Sequence, residues 1–360
     1  MNPTTEALCL LLKVALTNDD DVAMPSAIVW ADLLNMARSQ GVIAIVMHGL
    51  QQLMKKGYQP LNLDGKINLE GNLMSLSIER MYERQLVSAV ELSNLWHDNG
   101  GIRTWVLKGF AFAAYYPMPA KRPASDLDCY LGTQYEAGNR MVEAKGIKVD
   151  REDYRHATFQ YRHVFVENHK ICTTVRGSRQ RKRFERYLRS LLANEPTTRI
   201  AHSHLELPCD RFNALYFLQH SHRHFLREGI TLRYICDWAM MLQHAQCFDT
   251  DFWQVCAQND LLPFAETMTR LAQVVCGVKA TWLKPGEAQL QRQDVMLLND
   301  CSHIASNAIK YGNSLKAHLQ MVKNMLAMRW KYKYFSNRSM GVELICSVWS
   351  NWFEKVPKVD

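Results

Sequence analysis

Residues Trp105–Leu131 read WVLKGFAFAAYYPMPAKRPASDLDCYL, and the fold turns on this stretch. It opens with a short apolar run that ends at Lys108-Gly109. Small and aromatic residues come next, then a proline-broken loop carrying Lys121 and Arg122. It closes on Asp126-Leu127-Asp128, which runs into Cys129-Tyr130-Leu131. The pattern predicts strand, helix, loop, strand. Side chains alternate along a strand, so Asp126 and Asp128 point to one face. Two carboxylates roughly 7 Å apart on a strand can converge on Mg²⁺ ions held about 4 Å from each other.

Upstream, residues 4 to 96 read as helices. Pro25-Ser26 supplies a cap for AIVWADLLNMARSQG, whose apolar residues recur at helical spacing and whose Gly41 ends the turn. Val42 to Lys56 continues in the same manner, and 58–64 is a loop. A long pattern from about Asn68 to His97 has Leu73, Leu76, Met81, Leu86 and Leu92 as its apolar stripe. Asn99-Gly100-Gly101 stops it and delivers the chain into a strand at Thr104–Leu107. Downstream, Gly132 to Gly146 reads as a helix packing back on the sheet, and Ile147-Lys148-Val149 as a short strand. Phe159 to Ile171 alternates, with Phe165 and Glu167 on one face and Val164 and Val166 on the other; His163 and His169 share the parity of Glu167. This switch of period favours an α/β or α+β core. From 176 onward there is little β signal. Helical patterns at 212–226 and 232–243 precede others near 251–259, 262–276, 287–308, 313–330 and 341–354. The division read from these breaks is an N-terminal helical region at 1–99, a core at 100–175 and a C-terminal helical domain at 176–360.

A chain of 360 residues is longer than one average domain. With 48% apolar and 22% charged residues it has the composition of a globular protein with a core that needs no staples. Its ten cysteines form no CxxC pair, which excludes a zinc ribbon or a thioredoxin-like motif. The first residues lack a basic stretch of the secretory kind. The apolar run Ala7–Leu16 is broken by Lys13 and too short to span a bilayer. These features predict free thiols, a cytoplasmic location and no membrane partner. A net charge of +8 suits phosphate-bearing ligands. The excess is concentrated in Arg176–Arg189, with seven basic residues against one Glu. That stretch reads first as a solvated helix face and second as an approach for an anionic acceptor or nucleic acid.

Other residues bear on the chemistry. Gly109 would let backbone approach a phosphate chain, and Lys108 could supply a point charge to it. Arg122 could grip a phosphate by its planar fork. The plainer readings are an ordinary strand-end lysine for Lys108 and a surface loop residue for Arg122. His220 and His224 share a helical face at i,i+4, but without His-Glu-x-x-His they do not make a zincin site. Asp237 lies on an otherwise apolar helix, where a carboxylate needs a His or Arg partner. It could orient an imidazole.

The central stretch resembles the nucleotidyltransferase superfamily with the polymerase-β-like catalytic fold. More narrowly, it is similar to a family of uncharacterised bacterial nucleotidyltransferases. Leu107-Lys108-Gly109, Tyr115-Tyr116-Pro117, Arg122 and Asp126-Leu127-Asp128 carry the likeness. The commoner superfamily pattern has Gly-Ser where this chain has Lys108-Gly109. Val166-Glu167-Asn168-His169 resembles the family's Glu-x-His. His220 and His224 match its paired-histidine helix, and Arg233 and Asp237 match the Arg and Asp beyond that helix. The resemblance implies an α+β fold: a small mixed β-sheet core flanked by large N-terminal and C-terminal helical regions. It implies transfer of a nucleoside monophosphate, AMP from ATP, to a hydroxyl acceptor with Mg²⁺ or Mn²⁺. Asp126, Asp128 and Glu167 would be catalytic and metal-binding. Lys108, Gly109 and Arg122 would bind the nucleotide. His220, His224, Arg233 and Asp237 would shape a pocket. The rival readings are a non-catalytic nucleotide-binding or interaction module with the same fold and, less favoured, an enzyme that modifies nucleic acid.

Overall fold

The computed structural model describes residues 2–175, 178–279, 289–303 and 326–342. Four helices come first: α1 (Pro3–Thr17), α2 (Trp30–Ser39), α3 (Ile43–Lys55) and α4 (Gly65–Gly100). The sheet region is β1 (Thr104–Leu107), α5 (Lys108–Ala113), β2 (Leu127–Tyr130), α6 (Tyr135–Glu143), β3 (His156–Tyr161) and β4 (Val164–His169). Next come α7 (Arg179–Asn194), β5 (Thr198–Arg199), β6 (Leu205–Leu207), α8 (Asp210–Arg227) and α9 (Leu232–His244). The remaining described helices are α10 (Thr250–Gln258), α11 (Leu262–Cys276), α12 (Arg292–His303) and α13 (Arg329–Phe335). This is an α+β fold with one mixed six-stranded sheet in the order β3-β4-β2-β1-β6-β5. Most of the chain expected to be helical at 313–330 and 341–354 lies outside the described residues.

Local chemistry sets the main boundaries. Asp64 caps α4 by accepting the Lys66 amide at 2.7 Å, and Gly101, at φ 62°, closes it in the left-handed conformation. The leucine stripe expected for α4 holds only in its second half: Leu92 is buried and Leu86 packs on the core, but Leu73 and Leu76 are exposed, and Gly71, Ser75, Gln85, Ser88, Ala89 and Trp96 also face inward. Small residues win there because neighbouring side chains come close: a Cβ on Gly71 would meet the Met47 sulfur at 2.6 Å. Trp96 is fully buried and satisfies its indole N–H on the Gly138 carbonyl at 3.1 Å. α2 begins only at Trp30, without a side-chain cap; Pro25-Ser26 is not its N-terminus.

The alternating segment 159–171 is not one strand. It reverses at Arg162 and His163, whose φ values of 49° and 64° make a tight left-handed turn between β3 and β4. The sequence hid this turn because neither residue is Gly, Asn or Asp. Beyond 175, β6 pairs parallel with β1 and β5 pairs with β6, so the sheet draws two strands from a region with little β signal. At two and three residues these strands are too short to show a period. Ile147–Val149 forms no strand, and only Asp150 bridges to Thr158. One continuous apolar core runs from α1 and α3 through the sheet to α8, α9 and α11. No disulfide is present among the described residues, and no described helix is long and apolar enough to cross a membrane.

Candidate active site

β1 and β2 run antiparallel with Leu107 opposite Asp128; β2 and β4 run parallel with Asp128 opposite Glu167. The two carboxylates are therefore neighbours in one row across the sheet. The next row on the same face places Tyr130 opposite His169 and His169 opposite His156. Asp126 precedes β2 by one residue and falls on the Asp128 face. One carboxylate oxygen from each of Asp126, Asp128 and Glu167 lies within 4.8 Å of the others.

Lys108 comes directly after β1 and takes the left-handed conformation at φ 49°. For an L-residue this costs about 1–2 kcal/mol. Its ammonium ends 2.5 Å from Asp128 Oδ1 and 3.4 Å from Glu167 Oε2. His169 Nε2 sits 2.7 Å from Asp128 Oδ1 and 3.3 Å from Glu167 Oε2, and His156 Nε2 is 3.7 Å from Glu167 Oε1. All these contacts on Asp128 fall on one oxygen. Its Oδ2 is buried and has no hydrogen-bond partner.

Charge in the site is strongly coupled. Burial and the charge of Asp128 raise the Asp126 pKa. Burial would raise Glu167 as well, but His169 and Lys108 overcome it and hold that carboxyl below its usual range. For Lys108, burial works against the ammonium, yet Asp128 and Glu167 outweigh it and the pKa rises. Burial and Lys108 oppose protonation of His169, while hydrogen bonds to Asp128 and Glu167 raise it. Such compensated shifts at a cleft are typical of functional sites.

The row opens into a cavity of about 320 Å³ whose opposite wall is α8 and α9. Tyr216, His220 and His224 recur at i,i+4 on α8, with ring centroids 6.3 Å and 4.5 Å apart, and Tyr234 of α9 lies 6.4 Å from His220. Burial, with Lys108 nearby, keeps His220 well below the usual histidine pKa, and burial also lowers His224. Arg233 lines the same wall and donates to the Pro123 carbonyl at 3.2 Å.

Asp237 has the Arg partner that its burial requires and, among the described residues, holds no imidazole. Its Oδ1 accepts from Tyr116 at 2.7 Å and from Arg122 Nε at 2.8 Å, and its Oδ2 accepts from Arg122 Nη2 at 2.7 Å. Arg122, expected to grip phosphate, is 4% exposed and commits its fork to this carboxylate, with Nη1 on the Pro123 carbonyl at 3.1 Å. It anchors the loop that carries Asp126 beneath α9. Gly109 belongs to the same packing: a Cβ there would sit 3.0 Å from the Ala124 methyl and 3.2 Å from Arg122 Nη1. Tyr115 is a packing residue, donating to Asp210 at 2.7 Å.

The sequence reading missed Arg155, His156, Gln219 and Arg223, all of which line the cavity. Placing the turn at Arg162-His163 would have brought His156 opposite His169. Arg223 lies three residues past His220, within reach of the same helical face. The basic stretch is largely a solvated face of α7, with Phe184 and Leu188 packed inward. Buried Glu185 accepts the Cys172 and Thr173 amides at 2.9 and 2.7 Å, which fixes α7 to the chain leaving β4.

Carboxylates converging from adjacent strands, facing a cleft with basic groups on its far wall, define a site for chemistry on phosphate esters. Residues 26–277 match the family model described as "Uncharacterised nucleotidyltransferase", and the chain belongs to that family. The matched span contains every residue of the cleft. No curated protein and no solved structure matches the chain.

Proposed function

We propose that the cleft transfers a nucleoside monophosphate, AMP from ATP, to a hydroxyl group of an acceptor with Mg²⁺ or Mn²⁺ held by Asp126, Asp128 and Glu167. The donor set suits such an ion, since hard cations take oxygen ligands. A buried carboxylate oxygen without a partner is costly and uncommon, and Asp128 Oδ2 is one. When bound, the ion supplies positive charge to the phosphate oxygens. The convergence of the three carboxylates is the observation that carries this reading.

The side chains divide the remaining work. His169 ties Asp128 Oδ1 to Glu167 Oε2 and so fixes both carboxylates. Lys108 neutralises Asp128 until phosphate offers its ammonium a second anion. The acceptor oxygen bonds to the α-phosphorus, the bond from that phosphorus to the β-bridging oxygen breaks, and pyrophosphate leaves with the electron pair. The hydroxyl proton passes to a carboxylate of the trio. The ring strip of Tyr216, His220 and Tyr234 offers a surface for a base.

Incubation with ATP labelled at the α-phosphate, scored for label in products, tests this reading. Asp126→Asn and Asp128→Asn are each expected to lower transfer at least a hundredfold while the chain still folds, with Asp128→Asn also lowering Tm because it strips Lys108 and His169 of a buried partner. Transfer within a few-fold of wild type in both variants refutes the assignment.

A further inference from the structure

A second, smaller cavity of about 90 Å³ adjoins the cleft and shares Thr173, Gln219 and Arg223 with it. Its lining comes from the chain after β4, α7, α8, the turn after α10, and α13 with the segment that follows it. It carries four arginines, Arg181, Arg223, Arg227 and Arg338, against one carboxylate, Asp260. That carboxylate accepts the Asn337 amide at 2.9 and 2.8 Å and the Ser336 hydroxyl at 3.1 Å. Arg223 and Arg227, one helical turn apart on α8, make no hydrogen bond or ion pair among the described residues. Arg223 is half-buried at the junction of the cavities, where burial and the charge of Arg155 both press on it and lower its pKa. A guanidinium placed between low-dielectric walls and a like charge is unfavourable unless an anion joins it.

The size narrows the ligand. Sites for whole small molecules start near 300 Å³, which the cleft meets and this cavity does not. It suits a single charged group. Planar guanidinium forks match the oxygens of phosphate, and the Thr173 and Ser178 hydroxyls add neutral donors.

We infer that this arginine-lined cavity holds a phosphate monoester of the acceptor, a small phosphorylated molecule whose hydroxyl reaches past Arg223 into the cleft. The inference rests on the nucleotide reading of the cleft. A polynucleotide fits less well, because its backbone would have to run on through a cavity of this size.

Calorimetric titration of inorganic phosphate into the full chain, with the cleft presaturated by a non-hydrolysable ATP analogue and Mg²⁺, tests it. Saturable phosphate binding is expected alongside the nucleotide. Arg181→Gln with Arg227→Gln, both outside the cleft lining, should weaken phosphate at least tenfold and leave nucleotide affinity within threefold. Arg223→Gln should abolish phosphate binding, and Arg223→Lys should restore part of it, which separates lost contact from lost folding. Three results overturn the inference: no phosphate binding, phosphate binding indifferent to these arginines, or phosphate excluded by bound nucleotide, which would give the cavity to the triphosphate tail. A ribo-oligonucleotide that binds in place of phosphate and loses affinity in the same variants also overturns it. Failure of the nucleotide analogue itself to bind appears in the presaturation step and counts against the nucleotide reading alone.

Discussion

The Arg122–Asp237 pair makes a quantitative prediction, because it is buried, bidentate and shared with Tyr116. The exposures are 4% and 1%, and both carboxylate oxygens are engaged. Removing one partner leaves the other charge buried without compensation, at about 3–5 kcal/mol. Asp237→Leu strands the guanidinium and also the Tyr116 hydroxyl. Adding Arg122→Met removes the stranded charge and leaves the hydroxyl, which costs about 1–3 kcal/mol. Adding Tyr116→Phe removes that as well, and the triple variant should return close to wild type, as apolar replacements of buried ion pairs often do. At the usual unfolding entropy per residue, 3–5 kcal/mol over 360 residues lowers Tm by about 4–7 °C if the chain melts as one unit. Differential scanning calorimetry of the series therefore gives a large drop, a partial recovery and a near-complete recovery. Because the pair anchors the loop bearing Asp126, transfer activity should fall with the single variants. A double variant no more stable than Asp237→Leu, or a single variant within about 1 kcal/mol of wild type, refutes this account of the loop.

The site gives two further outcomes. Mg²⁺ titrated into wild-type protein should raise Tm by linkage, with about 2.7 kcal/mol at a hundredfold excess over Kd, and Asp128→Asn should abolish the rise; an equal rise in the variant removes Asp128 from the ion's ligands. His220 is half-buried in the cleft wall, and loss of solvent there depresses its pKa. The unfolded chain therefore takes up a proton there near pH 6.5 that the folded chain refuses, and stability falls as pH drops below that value by up to about 1.4 kcal/mol per unit. His220→Phe should flatten that part of the pH–Tm profile between about 6.5 and 5 relative to wild type, and parallel profiles would show that the ring is not held neutral by its surroundings.

The central stretch showed its fold plainly because each of its signals is local. The Thr104–Leu107 run, the small-residue helix after it and the strand opening at Leu127 all appear close to where they were read. The helical flanks were legible for the same reason, with α10 and α11 nearly at the expected bounds. What stayed hidden was pairing. Nothing near Leu205 announces that a three-residue segment will extend the sheet beside Thr104, since the partners are 101 positions apart. The partner of Asp237 was equally non-local: sequence logic required a His or Arg, and three-dimensional packing chose Arg122, 115 residues away, over the nearer histidines. Glu167 was reachable from strand parity, but His156 needed the turn at Arg162-His163, which no turn-favouring residue marks.

The position of Lys108 joins the fold to the proposed chemistry. A lysine at a strand end ordinarily reaches for solvent, yet here the backbone turns left-handed and the ammonium lies between Asp128 and Glu167, two of the three clustered carboxylates. Without a cation in that place, Asp126, Asp128 and Glu167 would repel one another in a half-buried setting, and some would bind protons instead of staying charged. Lys108 thus offsets part of that repulsion in the free protein, acting on Asp126 and Glu167. The same contact limits how tightly the trio can hold another cation, because the ammonium must first be displaced and is itself 16% exposed. A triphosphate lowers that barrier by giving the displaced ammonium a new anion. On the proposed reading, nucleotide and divalent ion should therefore bind cooperatively. Lys108→Met should uncouple them, raising affinity for the ion alone while lowering affinity for the nucleotide, as titrations of each ligand in the presence and absence of the other would measure. Unchanged coupling in that variant would mean that the ammonium stays with Asp128 throughout.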